Sequence, residues 1–423
     1  MHFTRKSALP VQWLALLTTL ATALAQPASP QSSEPLLQPA NLVYQGAFRV
    51  PEGSTNQTSF SYGGTALTYN PINNSLYLTG HDWYQLSAEI SIPPIVISTS
   101  IGALATATLM QPFADATEGT LNSINPADPN PKKIGGHLVH DGKLIVTGFS
   151  FYDGKGTQFA SHFVRPLSLS ARGQVKGPFK VGAMYPGFVS GYMTPVPSEW
   201  QSVLGGPVLT GNCCLNIISW QSSGPAASVF DPSRLGAMNP VSATLLVGYR
   251  YPNALGAGDT TQNSYFNLTT KITGVVFPGG TRSVLFFGRH GAGKYCYGSG
   301  TSDQVLAATA GHCYDPADSS KGTHAYPYLY QVWAYDANEL VAVKNGSKLP
   351  YQLQPYAVWT FNLPFENARD RHLLGGTGYD PQTNRIYISQ RCEDSNCGPI
   401  VQVFKVDGIA NSTDKPAGTV EPR

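Results

Sequence analysis

The sequence predicts an all-β fold, a single β-propeller, most simply of five blades with four antiparallel strands each, and three observations predict it. A phrase of glycine, alternating apolar residues, turn and second apolar run recurs five times along the chain. Further runs of strand length flank each copy, as four-stranded blades require. The 43 Gly, 33 Pro and 22 Tyr suit short strands joined by many turns and leave little room for long helices.

In chain order, residues 1–25 read as a signal peptide. Arg5 and Lys6 precede a short apolar run over 13–24, and Ala23-Leu24-Ala25 offers the small-x-small pattern that signal peptidase cuts. The run is too short to span a bilayer comfortably, and no later stretch does so. Residues 26–39, rich in Pro, Ser and Gln, are expected to be a disordered lead-in. The propeller is assigned to 40–408, and 409–423 to a flexible tail.

The first copy of the repeat starts at Gly63-Gly64 and ends at Gly80; the second runs from Gly135-Gly136 to Gly148. The third starts at Gly191 and reaches Gly211, the fourth spans Gly274 to Gly288, and the fifth runs from Gly375-Gly376 to Ser389. Third strands are expected at 88–92, 160–164, 227–230, 330–334 and 401–404. Fourth strands are expected ahead of the next copy, as at 44–50, 245–249 and 358–361. Insertions in the second and fourth repeats leave room for a sixth or seventh blade.

Only 12% of residues are charged and the formal net charge is +2, which excludes the concentrated basic surface of a nucleic-acid binder. Six cysteines, an even number in an exported chain, imply disulfides. Cys392 with Cys397 and Cys296 with Cys313 are plausible pairs, which leaves Cys213 beside Cys214 as a vicinal pair or in another arrangement. Asn56, Asn73, Asn267, Asn345 and Asn411 head Asn-x-Ser/Thr triplets and are candidate glycosylation sites. A monomer is expected.

In a propeller the start of each inner strand and the end of the second strand share one face. The repeat register gathers His81 and Asp82, Tyr152 and Asp153, Asn212 to Cys214, Arg289 and His290, and Arg391 to Glu393 at that face. Just before the inner strands stand Tyr62, Lys132 and Lys133, Tyr185, Lys271, and the run of residues 369–372. Three chemistries suit such a ring. Glycoside hydrolysis needs two carboxylates, from Asp82, Asp153, Asp370 and Glu393. β-Elimination on a uronate polymer needs a cation for the carboxylate, from Arg289 and Arg391, and an acid or base, from His81, His290 and Tyr62. Plain sugar binding would use Trp83, Tyr84 and Tyr152 as stacking platforms. The excess of Arg and His over carboxylates favours an anionic polysaccharide as partner. The post-strand residues differ from repeat to repeat, which favours one composite site over the equivalent sites of a lectin. Lectin-like glycan binding and a protein-interaction surface remain the alternatives.

Each residue also has a structural explanation. The histidines can be core residues with satisfied nitrogens, the arginines can pair across the channel, and Trp83 can simply pack. In overall look the chain resembles the secreted five-bladed propellers that include glycoside hydrolases and lectins. That resemblance is architectural and transfers no catalytic residue. Other motifs fail. Gly288 to Lys294 nearly spells a phosphate loop, but Tyr295 stands where Ser or Thr is needed. His137 and His140 lie on an expected strand, where an offset of three residues puts them on opposite faces. No cofactor is expected; a structural calcium could plug the channel, although no Asp-rich loop signals one.

Overall fold

The computed structural model describes residues 32–257, 263–365 and 371–408. The proposed signal peptide, most of the lead-in, the C-terminal tail with Asn411, and Arg369 and Asp370 lie outside the described residues.

The described residues form five four-stranded antiparallel sheets. The first, from inner to outer strand, is Leu67–Asn70, Ser75–Thr79, Ser87–Ser91 and Leu109–Ala114. The second is Lys132–His140, Lys143–Ser150, His162–Pro166 and Lys176–Phe179. The third is Met193–Pro195, Val208–Thr210, Ala227–Phe230 and Ala243–Val247. The fourth is Lys271–Val276, Ser283–Gly291, Tyr328–Asp336 and Ala357–Phe361. The fifth is Leu374–Asp380, Arg385–Gln390 and Ile400–Val406, and its outer strand is Leu42–Arg49, from the opposite end of the described chain.

Strand alternation explains why the sheets stand in a ring. Successive side chains point to opposite faces, and here both faces are apolar. In the second strand of the fourth sheet, Val284 and Phe286 pack with Leu209 and Val229 of the third sheet, while Leu285 and Phe287 pack with Ile386 and Ile388 of the fifth. The same division recurs all round. Tyr77 of the first sheet meets Ile134 and Val146 of the second, and Leu76 and Leu78 meet Tyr387 and Val401 of the fifth. Leu138 and Ile145 of the second sheet meet Met193 and Val208 of the third. The interfaces one–two, two–three, three–four, four–five and five–one close on themselves, which defines a β-propeller.

The glycines of the repeat are explained by crowding at the axis. A Cβ on Gly135 would lie 2.0 Å from the Ser190 carbonyl oxygen of the next sheet, and one on Gly375 would lie 1.8 Å from that of Gly64. Only glycine lets adjacent inner strands approach this closely. At the far end of the axis a cavity of about 90 Å³ is lined by residues of all five inner strands, among them Thr68, Leu138, Met193, Val275 and Thr377.

Two sequence expectations differ in detail. The strand expected near 44–50 precedes the first copy, yet it pairs with Ile400–Val406 and completes the last sheet. The insertion in the fourth repeat is a small three-stranded sheet of Cys296–Thr301, His312–Tyr314 and Lys321–His324. Disulfides join Cys213 to Cys214, Cys296 to Cys313 and Cys392 to Cys397. Among the described residues no helix is long and apolar enough to cross a membrane.

Candidate functional site

The ends of the second strands and the starts of the inner strands bring a set of cations to one mouth of the ring. Lys133 is the second residue of the inner strand of the second sheet, Lys271 begins that of the fourth, and register pairs Lys271 with Arg289. Arg391 directly follows the second strand of the fifth sheet. Each cation reaches to a neighbouring sheet. Arg391 donates through Nε to the Gly63 carbonyl at 2.9 Å and through Nη2 to that of Tyr62 at 2.8 Å. Arg289 Nη1 donates to the Arg371 carbonyl at 2.7 Å, and Lys271 Nζ donates to the Cys214 carbonyl at 2.8 Å. Lys133 is bonded to Asp82 and lies 4.8 Å from the Phe151 ring centre.

These anchors fix position without removing charge. A carbonyl oxygen accepts a hydrogen bond but brings no formal charge, whereas a carboxylate would neutralise the cation. Among the described residues Lys271, Arg289 and Arg391 form no ion pair, while Lys133 pairs with Asp82 and Arg371 with Asp318. Burial lowers the pKa of both Arg289 and Arg391, yet an arginine stays protonated through such shifts. Lys271 is pushed down to about 8 by burial and by the charge of Arg289. Arg289 is 8% exposed, its Nε is buried without a hydrogen-bond partner, and its guanidinium lies 4.2 Å from the Tyr328 ring centre. A buried guanidinium with a spare donor is set to take an anion.

Tyr328 is itself held from below. Its hydroxyl donates to Asp315 Oδ2 at 2.7 Å, and His324 Nδ1 lies 2.7 Å from the same oxygen. The fourth-repeat insertion therefore supports Arg289 through Tyr328. Nothing in the one-dimensional pattern marks this chain of contacts, because its members are scattered between Arg289 and Tyr328 and meet only through a strand pairing and a disulfide loop.

Between the fifth and first sheets lies a polar cleft of about 770 Å³, lined by Glu52, Asn56, Ser61, Tyr62, His81 and Asp394 among others. That volume falls in the range of sites for small organic ligands. The His81 ring sits 5.6 Å from Tyr62 and 5.2 Å from Tyr84, centre to centre. Its Nδ1 accepts the Trp83 amide at 3.1 Å, so in the neutral ring the proton resides on Nε2. Tyr62, Trp83, Tyr84 and Tyr152 are all exposed.

Other expected site residues are buried and hydrogen-bonded within the protein. His290, 3% exposed, has Thr270 Oγ1 3.0 Å from Nδ1 and the Asn263 carbonyl 2.7 Å from Nε2. Asp153 accepts from Thr157 and Gln158 amides at 2.7 and 3.0 Å and organises its own loop. Asn212 is fully buried and donates to the Gly187 carbonyl and to Asn216. Glu393 is buried inside the loop closed by Cys392 and Cys397. Among the triplet asparagines, Asn56, Asn73 and Asn345 are exposed, whereas Asn267 is fully buried with Nδ2 donating to the Gly291 carbonyl at 2.8 Å. That geometry leaves no room for a glycan on Asn267. His137 is buried with Nε2 on Ser87, while His140 lies beside Asp141. Among the described residues no cluster of three or more His, Cys, Asp or Glu is placed to hold a metal ion.

No protein-family profile matches the chain, and no curated protein does. Solved structures with a similar layout include the Bacillus subtilis arabinanase Arb43A, at 10% identity over 85% of this chain and 96% of that one, with a TM-score of 0.43. Another, at 11% identity over 89% and 98% with a TM-score of 0.41, represents the GH130 family of mannoside phosphorylases and glycoside hydrolases targeting β-1,2 mannosidic linkages in Candida mannan. A luciferin-regenerating enzyme is similar at 8% identity over 86% and 97%, with a TM-score of 0.36. These likenesses concern the arrangement of strands. The chain is a β-propeller whose mouth gathers Lys271, Arg289 and Arg391 on main-chain carbonyls.

Proposed function

We propose that the chain is an exported carbohydrate-active enzyme that acts on a uronate-containing extracellular polysaccharide at this mouth, by β-elimination. The observation that carries the reading is the trio Lys271, Arg289 and Arg391, each fixed by a main-chain carbonyl and none in a direct ion pair among the described residues. Export is supported by the apolar run at 13–24 and by the three disulfides.

The chemistry follows from charge. A uronate carboxylate held by Arg289 and Arg391 has its charge offset, which acidifies the proton on the adjacent carbon 5. Tyr62, acting as its phenolate, takes that proton, and the electron pair left behind forms the carbon 4–carbon 5 double bond. The bond from carbon 4 to the glycosidic oxygen breaks, the Tyr62 hydroxyl just formed gives its proton to the departing oxygen, which restores the phenolate, and the His81 Nε2–H donates a hydrogen bond to that oxygen. Hydrolysis needs two carboxylates across the scissile bond. Asp153 has both oxygens in its own loop and Asp82 is held by Lys133, which favours elimination.

A panel of neutral and uronate polysaccharides tests the reading, following new reducing ends and the ultraviolet absorbance of unsaturated uronate together. Reducing ends accompanied by that absorbance are expected. Reducing ends without it mean hydrolysis, and retention of a glycan with no product means a lectin.

A further inference from the structure

The loop that carries the vicinal cysteines leads from the mouth to a second feature. Ile218–Ser219 pairs in parallel with Tyr152–Asp153, joining the loops of the third and second sheets. Beyond it Trp220 packs on Tyr185 with ring centres 4.6 Å apart, and the Arg250 guanidinium lies 5.6 Å from the Tyr185 ring centre. Beside this stack runs a groove of about 620 Å³ lined by Phe159, Lys180, Tyr185, Arg250 and Tyr351 among others. Phe159 is 52% exposed and Trp220 43%. Aromatic surface left this open beside a groove marks a contact site, since apolar contacts are otherwise covered on folding.

We propose that this groove is a distal saccharide subsite for the same anionic polymer, so that the protein engages the interior of chains; the inference rests on the reading of the mouth given above. Three observations identify the occupant as a charged sugar chain. The exposed rings of Phe159 and Tyr351 in the groove and of Trp220 at its side offer flat faces to the C–H faces of sugars. Arg250 and Lys180 form no ion pair among the described residues, so the groove is complementary to carboxylates. One loop ties the two places together: the segment that reaches Trp220 begins at the Cys214 carbonyl that holds Lys271. The His81 cleft lies between the fifth and first sheets and the groove between the second and third. A polymer crossing the mouth from one to the other passes over the cations.

Binding of polygalacturonate and of its disaccharide is measured for the natural chain and for Trp220→Ala, Arg250→Gln and Arg289→Ala, with thermal unfolding alongside. Trp220→Ala and Arg250→Gln are expected to weaken polymer binding about tenfold, the scale of one lost stacking or cation contact. The disaccharide, which occupies only the mouth, is expected to change less than about twofold. Arg289→Ala is expected to weaken both ligands. If Trp220→Ala and Arg250→Gln bind polymer as the natural chain does while Arg289→Ala fails, the groove proposal falls and the mouth reading stands. Equal weakening of both ligands with a lowered melting temperature makes Trp220 structural and also overturns the proposal. Loss in the groove variants with no effect of Arg289→Ala overturns the mouth reading instead. A natural chain that binds neither ligand overturns both.

Discussion

Arg289 holds its guanidinium between the Tyr328 ring and the Arg371 carbonyl, with one buried donor still to place. Arg289→Ala is expected to lower affinity for a uronate polymer by about 30- to 100-fold, the scale of a lost charged hydrogen bond. Arg289→Lys keeps the charge but loses the fork, and should fall between the two in the same titration. Lys271 sets the pH dependence. Its folded pKa of about 8 lies below the unfolded value, so it is still charged at neutral pH. Anion affinity should therefore fall as pH rises through about 8, and Lys271→Arg should flatten that fall. Stability moves the other way. Between about pH 8 and ~10.4 the unfolded chain binds more protons than the folded one, so this group's contribution to stability rises across that window. For His290, whose two nitrogens face Thr270 and the Asn263 carbonyl, His290→Ala is expected to cost about 1–3 kcal/mol of stability in denaturant unfolding.

The fourth-repeat insertion is the element that reaches the site from outside the sheets. Burial pushes Asp315 up, but hydrogen bonds from His324 and Tyr328 outweigh it and hold the carboxyl below its usual range. The bond to Asp315 raises His324. The raised His324 contributes fully below its unfolded pKa and loses its contribution as pH climbs through the folded value. The depressed Asp315 loses its contribution as pH falls through its own folded value. His324→Ala leaves the Asp315 charge buried without its ring partner and should destabilise by about 3 kcal/mol, read from thermal unfolding with polymer affinity in parallel. None of this was legible in the sequence, where the stretch reads only as an insertion in the fourth repeat with Cys296 and Cys313 as a plausible pair. What was legible follows from local repetition. Glycine pairs mark the inner strands because backbones touch there, and the register they set places Lys271 beside Arg289. The same register groups His290 with the mouth, whereas the partners of its ring, Thr270 and the Asn263 carbonyl, come from a loop that the register does not describe. Trp220 and Arg250 escaped notice because they lie in loops outside the repeat.

The ring as a whole depends on a strand borrowed across the length of the molecule. Leu42–Arg49 pairs with Ile400–Val406 from Leu42 opposite Val406 to Arg49 opposite Ile400. Deleting residues 32–49 removes Phe48 from the core between the fifth and first sheets and bares the edge of Ile400–Val406. Such a chain is expected to lose its cooperative thermal transition and to aggregate, as an open apolar edge invites. The glycine contacts at the axis carry a different consequence. Inner strands that meet backbone to backbone leave about 90 Å³ at the far end, room for roughly three water molecules and far less than a sugar ring. Nothing of substrate size can thread the ring, so the cationic bowl is blind. If the mouth cleaves a uronate polymer as proposed, a fragment must back out through the door by which the polymer came in, and its charged carboxylate competes with the next chain for the same arginines. Turnover on a long polymer is then governed by how fast products let go, and added salt, by loosening that grip, should speed release even as it weakens capture.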